Sequence, residues 1–154
     1  MTITTTIEGA AAVIEQVLRN LSSEINAEVK NRTYRAGQAL RTELLDNVLT
    51  GSRSGRTYRL PNTRARYTAS APGEPPAIRT GAYRGSFTVK SEGGGSETGG
   101  TYHAIVGSEL RVKNGHLLSD YLENGNSRIA PRPHLSKALE AARPEIIRIF
   151  NERY

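Results

Sequence analysis

The chain is 154 residues long with 21 Lys and Arg against 15 Asp and Glu, no Cys, no Trp and a net charge of +6, one domain's worth of sequence with a lean apolar fraction of 36%. The absence of Cys excludes disulfide frameworks, thiolate metal sites and thiol nucleophiles at once. The basic excess is uneven: residues 51–90 carry eight basic side chains and one acidic, whereas residues 1–50 carry five and six, and residues 91–154 eight and eight.

In chain order, the opening MTITTTIEGAAAVIEQV has neither a basic n-region nor a sustained apolar core, and no stretch approaches roughly 18 apolar residues. A soluble chain is expected, with no signal peptide and no membrane span. From Ile7 to about Leu49 apolar residues recur at helical spacing: Ile14, Val17, Leu18, Leu21, Ile25 and Val29, then Leu40, Leu44 and Val48. Residues 1–50 are therefore a helical segment, either one long helix or two in series. The weak zone is Asn31 to Gly37, where Thr33, Tyr34 and Gly37 lower helix propensity. Thr5 or Thr6 is placed to cap the start and Gly51 to end it. Glu24 and Glu28, one turn apart with Lys30 and Arg32 nearby, read as a solvated helix face.

Residues 51–82 concentrate Pro, Gly, Ser and Thr together with Arg53, Arg56, Arg59, Arg64, Arg66 and Arg79, with Arg84 just beyond. This composition predicts an extended basic arm rather than packed core. Two uses stay open. The arginines pair with acidic surfaces of neighbouring subunits, or they neutralise a polyanion, with Tyr58 and Tyr67 as stacking platforms between them.

Beyond the arm, residues 83–91 and 101–108 alternate as two strands, with Tyr102, Ala104 and Val106 on one face. The intervening SEGGGSETGG predicts a flexible hairpin connection, and its Glu92 and Glu97, in place of a Lys-Ser or Lys-Thr pair, exclude a P-loop. A short helix or strand over 116–123 leads into the turn-rich NGNSRIAPRP. Leu135, Ala138, Leu139, Ala142, Ile146, Ile149 and Phe150 then form one apolar stripe of a closing helix, which Pro144 should kink or divide. The predicted fold is α+β in a single domain, 1–154. A long N-terminal helix and an amphipathic C-terminal helix (within 131–154) pack on a small antiparallel sheet (within 83–130), with the extended Arg/Pro-rich arm between.

Nothing in the sequence assembles an active site. His103, His116 and His134 lack metal-ligand spacing, no G-x-S-x-G elbow occurs, and nothing brings a nucleophile to Asp120 or Glu123. A non-enzymatic protein without cofactor or metal is expected.

Two stretches are more specific, ASAPGEPPAIRTGAYRGSF (69–87) and YLENGNSRIAPRPHLSKAL (121–139). In this order after a long helix they resemble the tail-component family of lambdoid and related tailed bacteriophages, the small neck or tail-completion proteins that join head to tail. Ala69, Pro72, Gly73, Glu74, Pro75, Pro76, Thr80, Gly81 and Ser86 carry the first block. Tyr121, Leu122, Glu123, Gly125, Pro131, Arg132, Pro133 and Leu135 carry the second. Asn124, Asn126, Tyr83 and His134 depart from the family pattern, His134 standing where a Phe is common.

The resemblance implies a virion structural protein of the neck, assembled in host cytoplasm as a homo-oligomeric ring of roughly six or twelve copies. Its partners would be a head-completion or adaptor protein and a tail terminator or tail tube protein. Alternatives are the tail terminator itself, one layer lower, or a small basic nucleic-acid-binding accessory protein; contact with packaged DNA is open. The expected interface residues are Arg56, Arg59, Arg64, Arg66, Pro72, Glu74, Pro75, Pro76, Arg79, Glu123 and Arg132. The prolines pre-stiffen the arm, so docking costs little chain entropy. Arg132, held between two prolines, is aimed at a carboxylate, with Glu123 a candidate partner, as a clamp within the chain or between subunits.

Overall fold

A computed structural model describes residues 5–51, 53–96 and 99–153, with the side chains of 5–10, 95, 96 and 99 excepted. The fold is α+β. Helix α1 (Thr5–Glu43) runs unbroken and closes in a π-helical turn, Leu44–Val48, where Leu49 N–H donates to Leu44 O at 2.7 Å. A short hairpin follows, β1 (Thr57–Arg59) against β2 (Arg66–Thr68), then a one-turn helix α2 (Ala82–Gly85). A ten-residue antiparallel ribbon, β3 (Phe87–Ser96) with β4 (Gly99–Ser108), pairs Val89 with Val106 and Ser91 with Ala104. Helices α3 (Leu118–Asn124) and α4 (Leu135–Phe150) complete the chain.

The ribbon alternates as its sequence requires: Tyr102, Ala104, Val106 and Ser108 turn toward α1, while Thr101, His103 and Ile105 face solvent. The strands nevertheless run through most of the glycine-rich stretch that composition assigns to a flexible connection. Ser91–Ser96 belongs to β3 and Gly99 and Gly100 to β4; Glu97 and Thr98 lie outside the described residues. The first strand also starts later than predicted, because residues 82–85 form α2 with Gly85 N–H donating to Gly81 O at 2.8 Å.

The zone from Asn31 to Gly37 is not a break but the most deeply packed part of α1, with Arg32, Thr33, Ala36 and Gly37 buried. A Cβ on Gly37 would lie 2.8 Å from both Ala104 Cβ and Val89 Cγ1. The ribbon approaches so closely that the helix surrenders propensity there in exchange for contact. Arg41 Nε donates to Phe87 O at 2.8 Å and fixes the far end of the same seam. The predicted caps fare differently: Thr5 and Thr6 lie outside the described side chains, and the helical run ends at Leu49, two residues before Gly51.

The core is small. Leu44, Leu49, Phe87 and Ala138 are fully enclosed, with Leu40, Leu45, Val48, Tyr83 and Leu135 packed around them. Large side chains of this kind stabilise by roughly 1.5–3 kcal/mol each when buried. Helix α4 was expected on the sheet; it lies instead along α1 and the π turn, contributing Ala138, Ala142 and Ile149. Pro144 stays inside the unbroken α4, where it and Glu140, whose carbonyl loses its donor, are exposed to water.

Candidate interaction surface

Glu123, at the end of α3, faces the start of α4. Its carboxylate accepts His134 N–H at 2.8 Å, Leu135 N–H at 2.9 Å, Ser136 N–H at 3.0 Å and Ser136 Oγ–H at 2.6 Å, so it caps α4 from outside the helix. Burial pushes the Glu123 carboxyl up, but these donors outweigh it and hold it down at about 2. The approach to this point is set by Gly125, at φ 71°, where a Cβ would lie 2.6 Å from Ile129 O, and by Asn126 Oδ1 accepting from Arg128 N–H and Ile129 N–H. The Glu123–Arg132 clamp expected within the chain is therefore absent, since α4 already uses the carboxylate.

Arg132 turns to the other motif block. It donates to Ser70 O, to Ser70 Oγ at 2.6 Å and to Ala71 O at 3.1 Å. Gly73 N–H donates to Pro131 O at 2.9 Å, and Lys137 Nζ donates to Gly73 O at 2.9 Å. The second half of the predicted arm is accordingly not extended into solvent but strapped to the body, with Ser70 and Pro76 buried. Composition could not show this, because the strap is held through its backbone carbonyls. Glu74 stays within the strap, accepting from Ala71 N–H at 3.1 Å and from Ser54 Oγ–H; Pro72 is exposed and Pro75 half-buried.

His134, absent from the predicted residues, sits at the centre of this junction with no exposure. Its Nδ1 lies 2.9 Å from Arg132 O and 3.0 Å from Glu123 Oε2, two acceptors, so Nδ1 carries the proton and Nε2 accepts from Tyr83 Oη–H at 2.6 Å. Burial pushes the imidazole pKa down and the Tyr83 phenol up, so both stay neutral. The sequence signal for it was His134 standing where the family that the two blocks resemble commonly has a Phe. His134→Phe should cost about 1–3 kcal/mol, because it leaves the Tyr83 hydroxyl without its partner, and Tyr83→Phe in the same chain should recover about half. Urea unfolding of the four chains of the cycle measures it.

Between the strap, α2 and α3 lies an apolar cleft of about 360 Å³, walled by Leu49, Ile78, Tyr83, Leu118 and Leu122 with Arg79 among its lining. The hairpin β1–β2 bears the rest of the basic set. Arg56 lies 5.6 Å above the Tyr58 ring, Arg59 Nε donates to Thr63 O at 3.3 Å, and Arg64 and Arg66 are exposed. One face of the Tyr58 ring thus lies beneath an arginine of its own chain while the side chain stays 49% exposed, and Tyr67, half-buried, donates from Oη to Ala77 O at 3.1 Å. Among the described residues no three His, Cys, Asp or Glu side chains gather as metal ligands, and no helix is long and apolar enough to cross a membrane.

The third surface belongs to the helix that the sequence reading packs on the sheet. Along the N-terminal half of α1, Val13, Ile14, Val17, Leu18, Leu21 and Ile25 are 44–64% exposed. No protein-family model, no curated protein and no solved structure matches the chain.

Proposed function

We propose that the chain is a structural protein of a tailed-phage neck, one subunit of a ring of roughly six or twelve that joins the head-completion layer to the tail. Its action is assembly, without catalysis or cofactor, and its place is the virion after assembly in the host cytoplasm. The observation that carries the reading is the junction itself. The two sequence blocks that resemble the tail-component family are far apart in the chain, yet Arg132, Pro131, Lys137 and His134 of one bond directly to Ser70, Gly73 and Tyr83 of the other. The two blocks therefore form one built unit, with Gly73, Pro131 and Arg132 the motif residues in the contact, and the surfaces left open beside it are an apolar helix face, an apolar cleft and a basic hairpin.

Copy number tests the proposal. Mass-spectrometric quantification in purified particles, referred to a portal ring of about twelve, should give a value near six or twelve. Absence from particles despite abundance in the lysate would overturn it. Salt-dependent binding to duplex DNA, with a log–log slope near −0.9 per neutralised phosphate, would then favour a nucleic-acid accessory role for the arginine hairpin.

A further inference from the structure

We propose that the projecting half of α1, residues 11–29, is a docking helix whose apolar stripe seats in the Ile78/Leu118/Leu122 cleft of a second copy of this chain. The inference deepens the ring reading and rests on it, naming the contact through which subunits join.

The stripe is open because of how the helices lie. Helix α4 runs antiparallel to α1, its end at Phe150 lying against Arg32, whose Nη1 donates to Phe150 O at 3.2 Å, while its start packs near Leu44. Upstream of Arg32 the helix continues unbroken, and at 1.5 Å per residue residue 11 lies about 30 Å beyond that point. A straight helix cannot fold back onto its own body, so the cover comes from another molecule. Six large apolar side chains, each 44–64% exposed along one stripe, form a contiguous patch that monomeric proteins rarely leave bare.

Chemistry selects the occupant. Residues 11–29 carry Glu15, Glu24 and Glu28 against Arg19, with Glu15 paired to Arg19 and Glu28 to Arg32, whereas the lining of the cleft holds Arg79, Arg84 and Arg132 and no acidic side chain. The helix and the cleft of a neighbour are therefore complementary in both charge and polarity. The acidic polar face argues against an anionic lipid surface, which selects Lys and Arg there. Pairing of two α1 stripes is also disfavoured. Ile7, Ala11, Ile14, Leu18, Leu21 and Ile25 keep the four-three spacing for fewer than three heptads, whereas coiled coils need about three or four. Anchors at this spacing suit a helix lying in a groove. Because helix and cleft are different patches on one chain, the contact is heterologous, the type that closes into rings.

Two variants of the full chain test this, Leu18→Glu with Leu21→Glu on the helix and Ile78→Asp with Arg79→Glu at the cleft. By sedimentation equilibrium at about 0.1 mM, the unmodified chain should self-associate and each variant alone should remain monomeric. An equimolar mixture should give a one-to-one complex and nothing larger, since each variant keeps one working surface. That complex also shows that both variants fold. The exposed single variant Arg79→Glu, which leaves the cleft walls intact, should weaken self-association tenfold or more with unchanged circular dichroism. A cleft variant that still dimerises, a mixture that stays monomeric beside a normal Arg79→Glu chain, or an unmodified chain monomeric throughout would each overturn the docking. Near six or twelve copies in particles alongside any of these would leave the ring standing and sink only this contact; absence from particles would sink the ring whatever the mixture does.

Discussion

Arg32→Ala should destabilise the chain by about 4 kcal/mol, lowering its thermal midpoint by about 10 °C for a protein of this size. Arg32 is 1% exposed and holds the end of α4. It donates to Phe150 O at 3.2 Å, Glu152 O at 2.7 Å and Arg153 O at 3.1 Å, and to Glu28 Oε1 at 2.7 Å. The last carbonyls of a helix have no partners within it and carry its negative pole, so a buried cation there satisfies hydrogen bonds and dipole together. Alanine removes the charge, orphans those carbonyls and opens a void. Arg32→Met retains most of the stem and separates the two effects, with an expected loss of about 2–3 kcal/mol from the lost bonds alone. Urea midpoints at neutral pH for the three chains measure both. A loss below about 1 kcal/mol for Arg32→Ala would mean that α4 is anchored by Ala138, Ala142 and Ile149 without it.

Arg32 also marks where reading the sequence stops being sufficient. Helical spacing over residues 7–49 correctly reports an amphipathic helix, but amphipathicity does not say what covers the stripe. The same period continues from Ile14 and Leu18, which are exposed, to Leu44, which is buried. A charged residue beside Glu28 and Lys30 looks solvated until the end of α4, over a hundred residues later in the chain, is known to lie against it. Gly37 lowers helix propensity in isolation, and only the close approach of Ala104 and Val89 turns that weakness into a packing requirement. Local patterns were enough for α1, the main strands and α4. They failed for the strap at residues 69–81, whose Pro and Gly content describes an unpaired segment while its Ser70 and Gly73 carbonyls are bound from a distance. In the same way, Glu123 and Arg132 do not pair, because a helix start and a run of carbonyls compete for them on better terms.

That competition predicts a specific acid response. At neutral pH Glu123→Gln should cost about 2–3 kcal/mol, because the amide keeps one acceptor oxygen for four donors and loses the negative charge at the start of α4. The carboxylate side chain is 17% exposed, and its descent from 4.5 to about 2 on folding corresponds to about 3 kcal/mol of pH-linked stability. A group depressed in the folded state stabilises fully above its unfolded value. Its contribution should therefore persist down to about pH 5, decline as pH falls from 4.5 toward 2, and vanish below the folded value. His134, whose imidazole is held down by burial, adds to the same loss, because acid forces a proton onto Nε2, where Tyr83 Oη–H already donates. Both effects loosen the same junction between the two motif blocks. The gap in urea midpoint between the unmodified chain and Glu123→Gln should be widest at pH 6–7 and shrink steadily below pH 4.5. A gap constant from pH 7 to 3 would show that Glu123 acts by shape rather than charge, and that α4 takes its start from packing on α1 alone.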